Sequence, residues 1–385
     1  MPDGREAATV RVAASISEID AAAWDACAGG DNPFVSHAFL AACEDSRSAV
    51  AETGWLARHL ALEDSAGALI GAVPLYAKSH SQGEYVFDHG WADAYNQAGG
   101  RYYPKLQGCV PFTPVPGPRI LIRGGVGARA DAEQTLAAAI VELARRHDLS
   151  SAHLTFVAEQ QARRLAELGF LLRTGYQFHW HNRGYGSFED FLGDMASRRR
   201  KNLRKERAQA LSAGLKVRIA TGRDIGEADW DAFFDFYMET GSRKWGRPYL
   251  TRPFFSMLHA AMPEKIVLIL AERAGTPVAG ALNLRGRDAL YGRYWGAAEE
   301  HPFLHFELCY YQAIEFAIAH GLARVEAGAQ GEHKIQRGYL PQATYSAHYI
   351  RDSGFRDAVA RFLAEESRSV AAEMAALSGL SPFKT

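Results

Sequence analysis

Cysteine is scarce in this sequence, and the four that occur are scattered. They form no C-x-x-C pair: Cys27, Cys43, Cys109 and Cys309. A disulfide framework or a zinc site is therefore not expected, and no metal site is predicted. Scattered cysteines of this kind are typical of a protein that works in a reducing cytoplasm.

Long hydrophobic runs are also missing. No stretch approaches the roughly 18 consecutive apolar residues that indicate a membrane-spanning helix. Residues 1–15 carry Asp3, Arg5 and Glu6 and have no apolar centre, so no secretory signal is expected. These absences predict a cytoplasmic protein without a transmembrane segment.

Neither sign of charge is in excess. The formal net charge is −1 and the pI is about 6.9. Proteins that coat nucleic acid over a whole surface are strongly basic, so any contact with a polyanion must be local here. The segment PFTPVPGPR at 111–119 also lacks the GxxxxGK[ST] pattern of a phosphate loop. Its four prolines make it stiff, which suits either the wall of a groove or a rigid connector.

What the sequence does contain is enough material for two domains. At 385 residues, with 48% hydrophobic and 23% charged residues, it exceeds the size of one ordinary core. The periodicity is mixed α and β, and we place a boundary after residue 182. The first domain is then 1–182 and the second 183–385, which holds a basic helix at 189–213 and a C-terminal helix at 355–377. The segment 79–130 shows no clear helix.

Two pairs of segments repeat in the same order. LEDSAGALIGAVPLYAK at 62–78 is similar to ILAERAGTPVAGALNLRG at 269–286, and IVELARRHDLSSAHLTF at 140–156 is similar to IEFAIAHGLARVEAGA at 314–329. The first pair reads as strand, turn and strand, and the second as a helix followed by a strand. This pattern favours duplicated α/β units, although the identity is low enough for chance to remain an alternative.

Aromatic and charged residues concentrate at 291–311. The candidate binding residues are Arg293, Tyr294 and Trp295 at the exit of a strand, and Tyr311 on the helix that follows. Glu307 shares a helix face with Tyr311 at a spacing of four. A strand that gives way to a helix leaves backbone amides and a positive helix end free to meet a ligand. The alternative is that the tyrosines are ordinary core residues.

The segment GAQGEHKIQRGY at 328–339 is punctuated by glycine and rich in polar groups. Glu332 or His333 could relay a proton, while Lys334 and Arg337 could hold an anionic donor group. Tyr339 is a further candidate for substrate binding. A solvated loop is the alternative, but the glycines indicate tight turning or a close approach.

The first half offers a second group of candidates around its long aromatic segment. They are Asp88, Trp91, Tyr103 and Lys105. Loops this long inside a compact domain are often functional.

Seven of ten residues in RRRKNLRKER at 198–207 are basic. The candidate phosphate-binding residues are Arg198, Arg199, Arg200, Lys201, Arg204 and Lys205. Such a run could contact the phosphates of tRNA or of a membrane. Most charge runs are solvated faces, but one of nearly uniform sign favours a local anionic partner.

These motifs resemble a known family. Nearly the whole chain, from about 15 to 350, is similar to the bacterial FemAB-like family of peptidoglycan biosynthesis/recognition proteins, or predicted N-acyltransferases. The resemblance is carried by EYVFDHGWADAY, YYPKLQGCVPFTPVPGPR, RRRKNLRKER, YGRYWG, HFELCYYQAIEFAI and GAQGEHKIQRGYLPQATYSAH. More widely, the chain resembles Fem aminoacyltransferases and tandem GNAT proteins.

The resemblance implies an α/β fold with mixed sheets, built from two tandem GNAT-like domains that meet along a cleft. It places the donor loops at 106–119 and 291–311. It also implies an N-acyltransferase that joins an acyl or aminoacyl donor to an amine, such as a peptidoglycan precursor. The co-substrate would be acyl-CoA or aminoacyl-tRNA, with no cofactor tightly bound.

The chain departs from these families in two places. Neither donor region has the Q/R-x-x-G-x-G/A signature that holds the pyrophosphate of CoA, which argues against acetyl-CoA. Fem enzymes also carry a long helical arm, to which only the short helix at 189–213 could correspond, and this argues against tRNA. The oligomeric state is left open.

Three functional hypotheses follow. In the first, Glu332 or Glu307 helps to deprotonate the amine, Lys334, Arg337 and Arg293 steady negative charge, and Tyr103 and Lys105 face them from the other lobe. The second is a binding protein without catalysis that recognises a cell-wall precursor in an aromatic groove. The third is an adaptor that uses the basic helix on tRNA or membrane phosphates.

Overall fold

The computed structural model describes residues 8–127, 129–245, 248–328 and 331–384. It forms two compact units. The first contains Met1–Gly175 and Ala343–Ala371, and the second contains Tyr176–Gln342 and Ala372–Thr385. The chain therefore crosses between the units three times, whereas the sequence predicts a single boundary after residue 182. The positions 329 and 330 of the glycine-punctuated segment lie outside the described residues.

The strands of the described residues are numbered along the chain. They are β1 (Thr9–Ala13), β2 (Trp55–Ala57), β3 (His59–Glu63), β4 (Leu69–Val73), β5 (Leu75–Lys78), β6 (Lys105–Gly108), β7 (Leu121–Ile122), β8 (Ser151–Val157), β9 (Leu171–His181), β10 (Leu215–Thr221), β11 (Ile266–Arg273), β12 (Thr276–Arg285), β13 (Ala289–Ala297), β14 (Arg324–Glu326) and β15 (Leu340–Ile350).

The helices are numbered in the same way. They are α1 (Ala21–Ala28), α2 (His37–Asp45), α3 (His89–Gln97), α4 (Arg129–Arg146), α5 (Glu159–Glu167), α6 (Phe188–Asp194), α7 (Ser197–Ala210), α8 (Glu227–Trp245), α9 (Arg252–Ala261), α10 (Leu304–Phe306), α11 (Gln312–Ala319) and α12 (Ser353–Ser378). A π-helical turn, Glu307–Tyr311, joins α10 to α11.

The first unit contains a four-stranded antiparallel sheet and a second group of strands. The four strands lie in the order β1-β3-β4-β7, and the second group in the order β15-β8-β6-β5-β2. Pro74 separates β4 from β5, because proline has no N–H to donate to a ladder. Within the second group β6 and β8 run parallel. Helix α4 covers one face of them with Leu136, Ile140 and Leu143.

The late segment 343–371 belongs to the first unit for a packing reason. Strand β15 pairs with β8 from Tyr345 to Ile350. The first part of α12 then buries Val359 and Leu363 in a small cluster with Trp91. These contacts bury apolar surface that residues 1–175 would otherwise leave open.

The second unit has one mixed sheet in the order β10-β11-β12-β13-β14-β9, to which β9 contributes its last residues. Every pair in it is antiparallel except β13 and β14. Its core includes Trp180, Ile269, Leu290 and Ile314. Each unit therefore contains a parallel strand pair linked through helix, β6-α4-β8 in the first and β13-α10-α11-β14 in the second. The repeated segments 140–156 and 314–329 fall on the helix and second strand of these pairs, α4-β8 and α11-β14, whereas β6 and β13 lie outside the repeats.

Two sequence-based element predictions were wrong. The helix expected at 189–213 is two helices, because Met195 is extended (φ −80°, ψ 151°) and fully buried between α6 and α7. The segment 79–130 contains α3, where no helix is expected. Trp91 and Ala92 bury one side of this short helix. Asp88 stands just before this helix, but its carboxylate makes no capping hydrogen bond to the helix.

Candidate active site

The parallel strands of the second unit separate after three paired positions. Ala289, Leu290 and Tyr291 of β13 pair with Arg324, Val325 and Glu326 of β14. Strand β14 ends at Glu326, while β13 continues to Ala297. A cavity of about 90 Å³ opens where they part. Its lining residues are Ala281, Leu282, Asn283, Gly292, Arg293, Tyr294, Trp295, His305, Cys309, Tyr310 and Ala327.

Arg293 occupies a β-bulge at the mouth of this separation. Leu282 pairs with Tyr294 and Asn283 with Gly292, so Arg293 is the extra residue, and bulges often re-aim side chains next to active sites. Its Nη1 donates to the carbonyl oxygens of Gly292 (2.9 Å) and Glu326 (3.2 Å). Burial lowers the pKa of Arg293, while Glu326 opposes that shift.

Lys334 lies behind the cavity on a 3₁₀ turn, Glu332–Arg337. Its side chain is only 3% exposed. Nζ donates to the carbonyl oxygens of Ala327 (2.7 Å) and Gly328 (3.3 Å), and Ala327 lines the cavity. Burial lowers the pKa of Lys334 to about 7, and the charge of Arg293 acts in the same direction. A large fraction of its amine is therefore unprotonated near neutral pH, so it can accept a proton.

The rest of the 3₁₀ turn contacts the helix that follows β13. His333 Nε2 lies 3.0 Å from the hydroxyl of Tyr310, and the hydroxyl of Tyr339 donates to the carbonyl oxygen of Tyr310 (3.2 Å). The guanidinium of Arg337 stacks 3.5 Å over the ring of Phe306. Glu332 is exposed to solvent. These contacts bring the polar segment 331–339 to the helix beside the cavity.

The π-helical turn places Glu307 away from the cavity lining. Glu307 is fully buried. Arg207 donates to it from Nε (3.0 Å) and Nη2 (2.8 Å), and Gln312 donates from Nε2 (2.7 Å). The hydroxyl of Tyr311 donates to Glu206, the neighbour of Arg207. Both side chains therefore face α7, and both carboxylate oxygens of Glu307 already accept hydrogen bonds.

Aromatic rings form one wall of the cavity and lead to a wider recess. The rings of Trp295 and His305 meet edge to face at 5.2 Å, and Tyr294 packs on Tyr237 at 5.5 Å. The recess, of about 610 Å³, begins at Trp295 and passes Glu299 and Glu300 before α10. Carboxylates in front of a helix start make this surface less favourable for an anion.

The first unit holds a separate buried cluster around Lys105. Its Nζ donates to Glu84 (2.7 Å), Ser81 (2.8 Å) and Asp88. Burial raises the pKa of Glu84 to about 7 against the attraction of Lys105. Burial alone would also raise the pKa of Asp88, but the charge of Lys105 reverses the direction and lowers it. Tyr103 joins through its hydroxyl, 2.8 Å from Ser81 Oγ.

A pair of buried histidines extends this cluster. His153 and His348 lie with their Nδ1 atoms 2.7 Å apart, and Tyr102 bridges His153 to Asp88 with its hydroxyl (3.3 and 2.7 Å). Burial lowers the pKa of His153 to about 3 and that of His348 well below its ordinary value. Both rings are therefore neutral at physiological pH. Trp91 packs edge to face on His348 at 5.0 Å.

The basic run lies on α7. Arg198, Lys201, Arg204 and Lys205 are exposed, whereas Arg199 and Arg200 are half-buried. Arg204 is paired with Glu189. The helix therefore presents most of its positive charge to solvent, as a phosphate contact would require.

Sequence reasoning missed Asn283, Cys309 and His305 of the cavity, and Glu84 and His153 of the first unit. A signal existed for two of them. Asn283 stands in the small apolar strand AGALNL and His153 in AHLTF. A polar side chain inside such a strand is expected to be buried, and buried polar groups usually have a hydrogen-bonding partner or a functional role. Glu84, His305 and Cys309 carry no comparable pattern.

Within the described residues, no group of three or more His, Cys, Asp or Glu side chains could hold a metal ion. No helix in that part of the chain is long and apolar enough to cross a membrane.

Comparison with known proteins decides the family. The model of the FemAB-like family, described as peptidoglycan biosynthesis/recognition, matches residues 15–385. The chain belongs to the FemAB-like family. No curated protein matches the sequence.

Solved structures share the fold of this FemAB-like protein. FemX aligns at 12% identity and a TM-score of 0.55, covering 91% of this chain and 100% of FemX. The C-terminal domain of a putative lysylphosphatidylglycerol synthetase from Agrobacterium fabrum aligns at 10% identity and a TM-score of 0.53, covering 91% of this chain and 97% of that domain. The fold is thus mixed α/β and is divided into two units, as expected from the sequence.

Proposed function

We propose that this FemAB-like protein transfers an acyl or aminoacyl group from an activated donor to an amine. The observation that carries the proposal is the cavity where β13 and β14 part, with the buried amine of Lys334 hydrogen-bonded to one of its lining residues. A cavity of about 90 Å³ has the volume of roughly three water molecules. This is room for a small acyl group.

Lys334 would take the proton that the reaction releases. An attacking amine must lose a proton as its nitrogen bonds to the acyl carbon and the donor's bond to that carbon breaks. Because burial lowers the pKa of Lys334 to about 7, part of its amine is neutral and can receive that proton. The proton then passes to the leaving group or to solvent. Lys334 takes over the role that the sequence suggests for Glu332 or Glu307.

Arg293 is our candidate for stabilising the carbonyl oxygen as negative charge develops on it. Its guanidinium is buried at the bulge beside the cavity, where water screens its charge little. The hydrogen bonds to Gly292 and Glu326 hold the group in place. His333 and Tyr310 would then orient the amine.

For the donor we favour an aminoacyl ester such as aminoacyl-tRNA over acyl-CoA. The recess in front of α10 is lined by Glu299 and Glu300, and Arg273 pairs with Glu299 there, so the two carboxylates offset the positive charge that the diphosphate of CoA would need. The exposed positive charge on α7 suits a phosphate backbone. For the acceptor we favour an amine on a peptidoglycan precursor, which the family description supports. The sequence-based assignment of Asp88, Trp91, Tyr103 and Lys105 to substrate binding stays a prediction.

The test is a direct assay of amide formation. The protein is incubated with charged tRNA or with acyl-CoA, together with lysine-containing muropeptide precursors, and new amides are detected by mass spectrometry. We expect product with charged tRNA, and a loss of at least about a hundredfold in kcat for Lys334→Met, in the range of a missing proton acceptor. Gln336→Ala, an exposed neighbour on the same turn, is the matched control and should keep its activity.

Two results would contradict the proposal. One is the absence of amide from every donor in a folded preparation. The other is a Lys334→Met variant as active as the control.

A further inference from the structure

Asn283, which lines the cavity of the second unit, has a buried side-chain oxygen that accepts no hydrogen bond from the described part of the chain. Asn283 is fully buried on β12. Its Nδ2 donates to the carbonyl oxygens of Val267 and Ala281, both at 3.3 Å. Two carbonyl partners fix which end of the amide is nitrogen. Within the described residues Oδ1 then accepts no hydrogen bond.

The backbone around this oxygen keeps space open for a partner. Asn283 lies at the register shift of the β12–β13 pair, opposite Gly292. A Cβ atom on residue 292 would come within 3.2 Å of Oδ1, so a glycine leaves room that any other residue would fill. Both residues line the cavity. Buried acceptors in native proteins nearly always have a donor, and the cavity that Asn283 lines is the space beside it that a ligand could occupy.

We infer that Asn283 is a specificity-determining residue that accepts a hydrogen bond from an amino or hydroxyl group on the acyl portion of the donor. This deepens the proposed function and rests on it, since the cavity is taken to hold the acyl group. A plain acyl group of the same size would leave Oδ1 unpaired. Sites built around a polar partner discriminate against ligands that lack it. The protein should therefore prefer small amino- or hydroxyacyl groups to unsubstituted ones.

Cys309 offers a way to measure occupancy of the cavity without turnover. It lines the cavity and is partly exposed, whereas Cys27, Cys43 and Cys109 are buried. Iodoacetamide should therefore modify Cys309 first, and peptide mass spectrometry reads the rate. A ligand in the cavity slows that rate.

The probes are three amides of similar size: glycinamide, glycolamide and propanamide. The first carries an amino group and the second a hydroxyl where the third has a methyl. We expect glycinamide and glycolamide to protect Cys309 at about tenfold lower concentration than propanamide, the size of effect of one hydrogen bond. In Asn283→Leu the three should protect equally.

A second variant is needed because Asn283→Leu loses two hydrogen bonds and could fail to fold. Gly292→Ala leaves those bonds in place and puts a methyl group against Oδ1. It should also abolish the preference. Equal protection by all three amides in the unaltered protein would overturn the inference. Water would then be the hydrogen-bond donor to Asn283 Oδ1. Protection by glycinamide alone would overturn it too, since charge rather than the hydrogen bond would explain the preference.

Failure here is distinguishable from failure of the proposed function. If amide synthesis succeeds and propionyl donors react as well as glycyl donors, the inference is wrong while the acyltransferase stands. If the protein distinguishes the three amides and no donor reacts, the role of Asn283 in recognition is supported and the proposed acyl transfer is not.

Discussion

Arg207 and Glu307 form a two-point ion pair, with Nε 3.0 Å from Oε2 and Nη2 2.8 Å from Oε1. The same guanidinium reaches Glu315 at 2.8 Å. One arginine of the basic run therefore points inward and fastens α7 to the helix beside the cavity. Arg198, Lys201 and Lys205 of the same helix are exposed to solvent and could meet a ligand.

Glu307→Gln should lower the stability of the protein and leave the rate of acyl transfer nearly unchanged. Removing the charge leaves Arg207 with Glu315 only, so we expect a loss of about 1–3 kcal/mol in the free energy of unfolding. The rate of acyl transfer per folded molecule should stay within about threefold of the original. Urea denaturation and initial rates measure the two. A collapse of kcat with unchanged stability would restore Glu307 as a proton acceptor.

The pH dependence of stability should reveal Lys334. Its folded-state pKa is lowered from 10.5 to about 7 by burial, so between those values the unfolded chain binds the extra proton. The contribution of Lys334 to stability therefore rises from pH 7 to pH 10, by at most about 1.4 kcal/mol per pH unit. Urea denaturation of the protein and of Lys334→Met at each pH isolates this residue, because other groups cancel in the difference. Parallel curves would place the lysine's pKa at its ordinary value.

Lys105→Met should strongly destabilise the first unit. It leaves Glu84 and Asp88 buried without their cation, which typically costs about 3–5 kcal/mol. Adding Asp88→Asn removes the carboxylate whose charge Lys105 stabilises, so the double variant should be more stable than Lys105→Met alone. Thermal and urea unfolding of the three variants forms a double-mutant cycle. Simple additivity would mean that the two side chains are not coupled.

Binding of tRNA should depend on α7 and on salt. Replacing Arg198, Lys201 and Lys205 by Gln removes three exposed charges, so the slope of log K against log salt should fall by about 2–3. Arg204 is already paired with Glu189, and Arg204→Gln is the matched control with little effect. Fluorescence anisotropy with labelled tRNA gives both slopes. If the affinity of the unaltered protein for tRNA does not change with salt concentration, this surface is excluded as a phosphate site.

Much of the fold could be read from the sequence because it depends on local patterns. The repeats at 62–78 and 269–286 are strand pairs in both units, and the C-terminal helix expected at 355–377 is α12, Ser353–Ser378. Periodicity failed at Met195, where one buried extended residue splits a helical pattern, and at α3, where the preceding carboxylate of Asp88 accepts from Lys105 and does not cap the helix. Burial of a side chain decided both, and burial is a property of the folded chain.

The sequence predicted which segments form the candidate site, but it did not predict the role of each residue in them. The segments 291–311 and 328–339 do contact each other, as through His333 and Tyr310. The sequence could not show that Glu307 is held by Arg207, a residue one hundred positions away. Nor could it show that Lys334 is buried, and that burial is what makes its amine a candidate base.

The late position of 343–371 has a consequence for synthesis on the ribosome. Residues 1–175 emerge long before β15 and α12, which complete their unit. Until then the flank of β8 that β15 will occupy exposes unpaired backbone groups, and Trp91 has no cover from Val359 and Leu363. This surface stays exposed on the nascent chain while residues 176–342 are synthesised, so we expect the chain to be a client of chaperones.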